Sequence, residues 1–193
     1  MNKREEFKEE LNYIKNEDIR ESASYMIEKL PDYFFTIPAA STGKYHPEYA
    51  QGEGGLLRHT KAAVRIAHEL LENPAIGDKY TDREKDLMIM ALILHDGLKL
   101  GKEKSKYTKF DHPLLMAEYI KEEQDNLSIP KKEIQFLADT ISTHMGNWTT
   151  DYDGNEVLDK PKTKCQNFVH MCDYLASRKC LLVPFDEKNK IKV

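Results

Sequence analysis

An imidazole and a carboxylate stand side by side at the end of an apolar run: Leu92-Ile93-Leu94-His95-Asp96-Gly97-Leu98-Lys99. Both are ligands of hard and borderline divalent ions. A single His-Asp pair carries no information, since any helix ending in polar residues can contain one. Its company does carry information. His59 lies upstream, and His112, His144 and Asp173 lie downstream, each within its own candidate helix. The ordered set His, His-Asp, His, His, Asp, with its donors spread over several helices, is how a metal site inside a helical bundle reads in sequence.

The elements that must position these donors are helical by their periodicity. In the stretch 56–71, at about 100° per residue, His59 shares a face with Ala63, Ile66 and Leu70 and points inward, whereas His68 falls on the opposite side and is set aside. The stretch 82–96 stacks Met88 and Ala91 on the side of His95. Asp111-His112-Pro113 opens another helix, with Asp111 as a side-chain cap and Pro in the first turn, and Leu115, Met116 and Tyr119 on its buried face. Pro130 opens the next, where Leu137, Ile141 and His144 form one stripe. In 162–180, Phe168, Cys172 and Leu175 form an apolar line with His170 and Asp173 beside it. A mid-helix Asp is costly to bury unless it is paired or ligates a metal, which makes Asp173 the final candidate ligand and His170 a supporting residue.

The 193 residues, 40% hydrophobic and 32% charged, describe an ordinary soluble globule with enough chain to bury a core. No apolar run approaches the roughly 20 residues needed to cross a bilayer. The charged N-terminus has no signal-peptide core and points to the cytoplasm. Phe7, Leu11 and Ile14, then Tyr25, Met26 and Leu30, give two amphipathic stripes that serve packing or an oligomer surface. Cys165, Cys172 and Cys180, an odd number on one apolar helix, read as buried thiols without ligand spacing.

Between the helices lie the segments available to a substrate. Residues 39–55 form a long irregular connection. Its Ser41-Thr42-Gly43-Lys44 lacks the full phosphate-loop pattern, yet Lys44, Tyr45 and His46 are within reach of a phosphorylated ligand. After the His-Asp pair, residues 99–109 hold five Lys against one Glu. This loop therefore carries +4 in a chain whose net charge is −4, leaving the remainder at −8. A positive loop beside a metal cluster attracts a multiply charged anion. Trp148, the single tryptophan, introduces a polar stretch, 149–161, that reads as a small hairpin or loop and offers a ring for stacking on a nucleobase.

Gly54-Gly55-Leu56-Leu57-Arg58-His59-Thr60, His95-Asp96-Gly97-Leu98-Lys99, Asp111-His112-Pro113-Leu114-Leu115 and His170-Met171-Cys172-Asp173 resemble the HD-domain metal-dependent phosphohydrolase superfamily over about two-thirds of the chain, from Gly54 to Lys179. The resemblance implies that His59, His95, Asp96 and Asp173 bind one divalent ion. His112 and His144 match histidines of branches that hold a second, including cyclic-dinucleotide phosphodiesterases and the HD part of certain bacterial exoribonucleases. Lys99 matches a lysine near the substrate phosphate. Here the glycine of the His-Asp-x-Gly-Lys form stands one place earlier, Met145 replaces a second consecutive His, and Gly-Tyr-Pro is absent.

A divalent ion held by imidazoles and carboxylates lowers the pKa of bound water and polarises a phosphoryl oxygen. The sequence therefore predicts an all-α HD-type bundle. N-terminal helices and a loop (1–53) join a metal-binding core (54–180) and a tail (181–193). The chain is expected to hydrolyse a phosphate ester in a nucleotide or short oligonucleotide using one or two ions from Mn, Fe, Co, Ni or Mg. Asp96 and Lys99 are the expected catalytic residues, and Lys44, Arg58, Lys102, Lys104 and Trp148 the expected substrate contacts. An HD-type diiron oxygenase and a non-catalytic nucleotide-sensing module are the alternatives. The expected partner is a small anionic phosphorylated molecule, with no membrane and no extended nucleic-acid surface, the latter disfavoured by a sequence pI of 6.0; homo-oligomer formation remains open.

Overall fold

A computed structural model describes residues 2–40 and 46–192. Its regular elements are helices: α1 (Lys3–Glu6), α2 (Lys8–Asn12), α3 (Glu17–Lys29), α4 (Gly55–Glu72), α5 (Pro74–Gly77), α6 (Asp82–Leu94), α7 (His112–Glu122), α8 (Lys131–Ser142) and α9 (Lys164–Ala176). Short 3-10 turns add Asp32–Phe35, Glu48–Ala50 and Gln124–Asn126. Among the described residues β-structure is limited to isolated bridges, so the protein is all-α.

Helix α6 is the axis of the bundle. Thr81 and Glu84 form a reciprocal capping box that starts it. From Asp86 to Leu94 every residue is buried, so the helix is enclosed on all sides. It packs against α3, α4, α8 and α9, while α7 pairs with α8 and α4 with α9. The donors anticipated from the sequence leave from three of these elements: His59 from the second turn of α4, His95 and Asp96 from the end of α6, and Asp173 from α9. His112 is the first residue of α7, and His144 follows the end of α8.

The N-terminal stripe resolves as packing. Phe7, Ile14, Ile19 and Met26 are fully buried in the common core. The buried Asp86 carboxylate accepts hydrogen bonds from the Lys15 and Asn16 backbone N–H groups (3.0 and 2.7 Å) and from the Asn16 amide (2.6 Å), tying the α2–α3 linker to α6. A second tie is the buried Lys61–Glu10 pair at 3.5 Å, two residues from His59 on α4, in which Lys61 also donates to the Glu6 carbonyl. Burial raises the Glu10 pKa, although Lys61 pulls the other way. In the aromatic turn Asp32–Phe35 the three rings, Tyr33, Phe34 and Phe35, are buried as well. The Tyr33 hydroxyl donates to the Gly101 carbonyl (2.7 Å) and accepts from the Leu100 N–H (3.2 Å), anchoring the first part of the lysine loop.

Several local expectations are corrected. Asp111 makes no side-chain cap; its carbonyl accepts the Leu114 and Leu115 N–H groups instead, so α7 begins on backbone bonds with Pro113 in its first turn. The buried line of α7 is Met116, Ala117 and Ile120, with Leu115 and Tyr119 half-buried at its edge. Helix α9 stops at Ala176, which leaves Cys180 exposed beyond it while Cys165 and Cys172 are buried. The stretch 149–161 holds one antiparallel bridge, Thr150 to Glu156, closed by an Asp151 carboxylate that accepts from the Asp153 and Asn155 N–H groups.

Gly97, the residue after the His-Asp pair, has a packing reason. A Cβ there would lie 2.6 Å from Leu30 Cδ2, 2.9 Å from Met116 Sδ and 3.0 Å from the Leu94 carbonyl. The chain leaving α6 therefore runs directly against the end of α3 and the buried face of α7.

Removing one partner of a buried ion pair strands the other. Lys61→Met is expected to lower unfolding stability by about 3 kcal/mol, and Glu10→Met combined with Lys61→Met to recover most of that loss. Urea denaturation midpoints of the three proteins measure the difference.

Candidate metal centre

Asp96 is buried at the meeting point of all the other donors, and its two oxygens face different partners. On one side, Oδ2 lies 3.6 Å from His95 Nε2 and 4.0 Å from His59 Nε2. Asp173 Oδ1 completes this group at 2.9 Å from His59 Nε2 and 3.4 Å from His95 Nε2. On the other side, Oδ1 lies 2.9 Å from His112 Nε2 and 3.6 Å from His144 Nε2, and these two nitrogens are 3.3 Å apart. One carboxylate thus joins a four-donor group to a three-donor group.

The histidines are oriented by a shared local device. His95 Nδ1 donates to the Leu92 carbonyl (2.7 Å), His112 Nδ1 to the Lys109 carbonyl (2.7 Å) and His144 Nδ1 to the Ile141 carbonyl (2.8 Å). Each acceptor is three residues back in the chain, and for His95 and His144 it lies in the last turn of α6 and α8, where carbonyls are open to side-chain donors. These bonds place a proton on each Nδ1 and turn Nε2, the atom a cation would take, towards Asp96. Nitrogens this close to carboxylate oxygens need positive charge between them, which a second proton on His95 supplies in the metal-free protein and a bound cation would supply in its place. His95 Nε2 is buried without a hydrogen-bond partner among the described residues, and so is His59 Nδ1. The donor set fits a divalent ion: His59, His95 and Asp173 offer ligand atoms within 4.8 Å of one another, as do His95, Asp96 and His144.

Protonation tells the same story. Burial opposes a charge on His95, but Asp96 and Asp173 outweigh it and raise its pKa to about 9 in the metal-free protein. That folded-state value lies above the ordinary 6.5, so the protonated imidazole stabilises the metal-free fold fully below about pH 6.5, and the contribution is lost as pH rises through about 9. Burial likewise opposes ionisation of Asp96 and Asp173. For Asp96 the positive charges of Lys99 and His95 prevail, for Asp173 the charge of His95 and the hydrogen bond with His59, and both carboxyls stay well below the usual range. Burial pushes His112 down.

The centre opens into a cavity of about 880 Å³. Lys99, its Nζ 2.5 Å from Asp96 Oδ2, lies on the cavity wall, and Trp148, 58% exposed, lies at its mouth. The other substrate candidates are placed differently. Arg58 spends its guanidinium on the carbonyls of Tyr49, Gln51 and Glu53 and on Asn189 Oδ1 (2.8 Å), holding the C-terminal tail to the start of α4 rather than facing the cavity. Lys102 pairs with Glu122 on α7. Lys104 is exposed in the loop, and Lys44 lies outside the described residues. His68 stacks on Tyr13 at 3.9 Å, far from the donors along α4.

His170 supports the centre indirectly. Its Nδ1 donates to the His144 carbonyl (2.7 Å), and its ring fills the space where a Cβ on Gly146, which has φ +67°, would sit. The cavity also includes residues that the sequence reading left without a role, namely Tyr107, Tyr152, Tyr174 and Arg178, and it takes in His46, whose pKa burial lowers to about 4. Tyr107 and Tyr152 had one signal in the sequence, an aromatic residue in a polar stretch without an apolar periodicity to bury it; Tyr174 and Arg178 had none.

The family profile of the HD domain matches residues 56–178. The chain is 28% identical over 157 residues to the 3'-5' exoribonuclease YhaM of Listeria welshimeri, an alignment covering 76% of this chain and 47% of that protein. It is also 28% identical over 144 residues to the 3'-5' exoribonuclease YhaM of Bacillus subtilis, covering 69% of this chain and 41% of that protein. The aligned region spans less than half the length of these relatives. No solved structure matches the chain.

Two donor groups of unequal size predict two ions of unequal affinity. Elemental analysis of the metal-saturated protein is expected to approach two divalent ions per chain and to fall towards one on dialysis. His112→Ala combined with His144→Ala is expected to hold one ion throughout.

Proposed function

This chain belongs to the HD-domain family, and from that premise we propose that it hydrolyses a phosphodiester bond in a short nucleic-acid strand. The observation that carries this reading is the division of Asp96 between two donor groups at the floor of a cavity whose volume suits a nucleotide-sized ligand. The names of the relatives favour a strand over a free nucleotide. They do so as an analogy from part of those proteins' length.

His59, His95, Asp96 and Asp173 would hold one ion, and Asp96, His112 and His144 a second. A divalent ion bound there supplies a hydroxide nucleophile near neutral pH and a Lewis acid for the phosphoryl oxygen. The protein's own groups perform the rest. The three Nδ1–H bonds to backbone carbonyls keep the imidazoles in the ligating tautomer. Lys99, held at the cavity wall by Asp96, sets an ammonium where negative charge builds on the phosphoryl group. The exposed Lys104 and Lys106 raise the local concentration of a polyanion without contributing to the chemical step.

The test is a screen of metal-loaded protein against nucleoside mono- and triphosphates, cyclic nucleotides and short oligonucleotides, with phosphate, pyrophosphate, nucleotide and nucleoside products read separately. Release of mononucleotides from oligonucleotides is expected. Release of phosphate from monophosphates alone, or oxygen uptake by the iron-loaded protein, would overturn the reading.

Asp96→Asn is expected to abolish hydrolysis while circular dichroism retains the helical signal. For Lys99→Ala the loss is expected in kcat, by about a hundredfold, with KM little changed. Neutralising Lys104 and Lys106 is expected to raise KM and to flatten its dependence on ionic strength.

A further inference from the structure

Four aromatic side chains stand in solvent around the mouth of the metal cavity. Tyr107 comes from the lysine loop, Trp148 from the segment after α8, Tyr152 from the turn of the bridged segment and Tyr174 from α9. Their exposures are 67%, 58%, 99% and 37%. Burying such rings is among the largest apolar gains a side chain offers, and this fold buries Phe7 and Phe34 completely. Rings left in water around one opening, contributed by four separated segments, need an explanation that scattered surface apolars do not. Nothing in the core retains Tyr152; its aromatic neighbour is Phe110, with ring centroids 6.5 Å apart.

Positive charge is interleaved with these rings. The Arg178 guanidinium lies 4.3 Å from the Tyr174 ring centroid, and Lys106 Nζ lies 5.2 Å from that of Tyr107. Arg178 lines the cavity and uses two donors on Ser177 Oγ, at 3.1 and 2.7 Å, leaving the rest of its fork unassigned among the described contacts. A flat aromatic surface alternating with cations matches a flexible strand, whose bases each have a π-face and whose phosphates are anionic. A duplex does not offer this match, because its bases are already stacked and paired.

Resting on the phosphodiesterase reading above, we propose that Tyr107, Trp148, Tyr152 and Tyr174 form a subsite that stacks unpaired nucleobases beside the scissile phosphate, with Arg178 holding a neighbouring phosphate. The subsite makes the enzyme selective for base-bearing single strands over duplexes and over bare sugar-phosphate chains. It recognises the π-face of a base, so it tolerates any sequence.

Trp148 is the chain's one tryptophan, so its fluorescence reports stacking directly. Metal-loaded protein is titrated with a short oligothymidylate carrying phosphorothioate linkages, which slow cleavage, and with an abasic strand of equal charge and a duplex. Saturable quenching by the oligothymidylate alone is expected. Tyr152→Ala, which alters a side chain in open solvent, is expected to shift the quenching midpoint and KM upward by about tenfold each and to shrink the kcat/KM ratio of base-bearing to abasic strand. Equal quenching by the abasic strand or the duplex, or an unchanged midpoint in Tyr152→Ala, overturns the subsite even if hydrolysis is robust. Base-dependent quenching by a protein that cleaves no strand supports the subsite and removes the phosphodiesterase reading instead.

Discussion

A buried carboxylate that must be matched by positive charge governs this structure. Asp96 sits in the core at the end of a helix that is apolar on every side, where an isolated anion would be far too costly to keep. Lys99 and the protonated His95 reduce that cost in the metal-free state, and the Nε2 atoms turned towards the carboxylate give a divalent cation a ready set of donors in place of the proton. Much of the surrounding architecture follows from keeping those nitrogens in place. Helix α6 must end at this point, α7 must begin there and α8 must end there, because the carbonyls that fix the three Nδ1 protons lie on the turns leading into His95, His112 and His144.

The donors were readable in the sequence because each obeys a local rule. His59 and Asp173 lie on faces set by helical periodicity, and His95-Asp96 closes the longest unbroken apolar run of the chain, Leu87–Leu94. Their order along the chain survives folding, so a one-dimensional pattern carried three-dimensional information. The fates of the basic residues did not. Arg58 follows the same motif into the helix that holds His59, yet its guanidinium is claimed by carbonyls in the preceding loop and by Asn189 in the tail, partners that only tertiary structure brings near. Lys102 is taken by Glu122, 20 positions away. Long flexible cations go wherever acceptors converge, and no periodicity encodes that.

The aromatic mouth was unreadable for the opposite reason. Hydrophobic patterning locates rings that are buried, and Tyr107 and Tyr152 are not; in a polar stretch each looks like an incidental residue. Cys180 shows the same weakness at a helix end, since the apolar spacing ran on past Ala176 while the hydrogen bonds did not. Gly97 is a gentler case. Its shift relative to the familiar motif looked like a departure in the phosphate-binding segment, but the space between Leu30 and Met116 gives it a packing origin.

The HD match begins at residue 56, whereas the structure that supports the metal centre begins much earlier. Tyr33 fastens the loop that follows the His-Asp pair, Asn16 is clasped by Asp86 on the central helix, and Leu30 abuts Gly97. In engineering terms the donor motif is not a cassette with clean edges. A graft or fusion cut at the motif boundary would carry every candidate donor and leave behind the packing around the segment that follows His95 and Asp96, so any portable unit taken from this chain has to include its first forty residues.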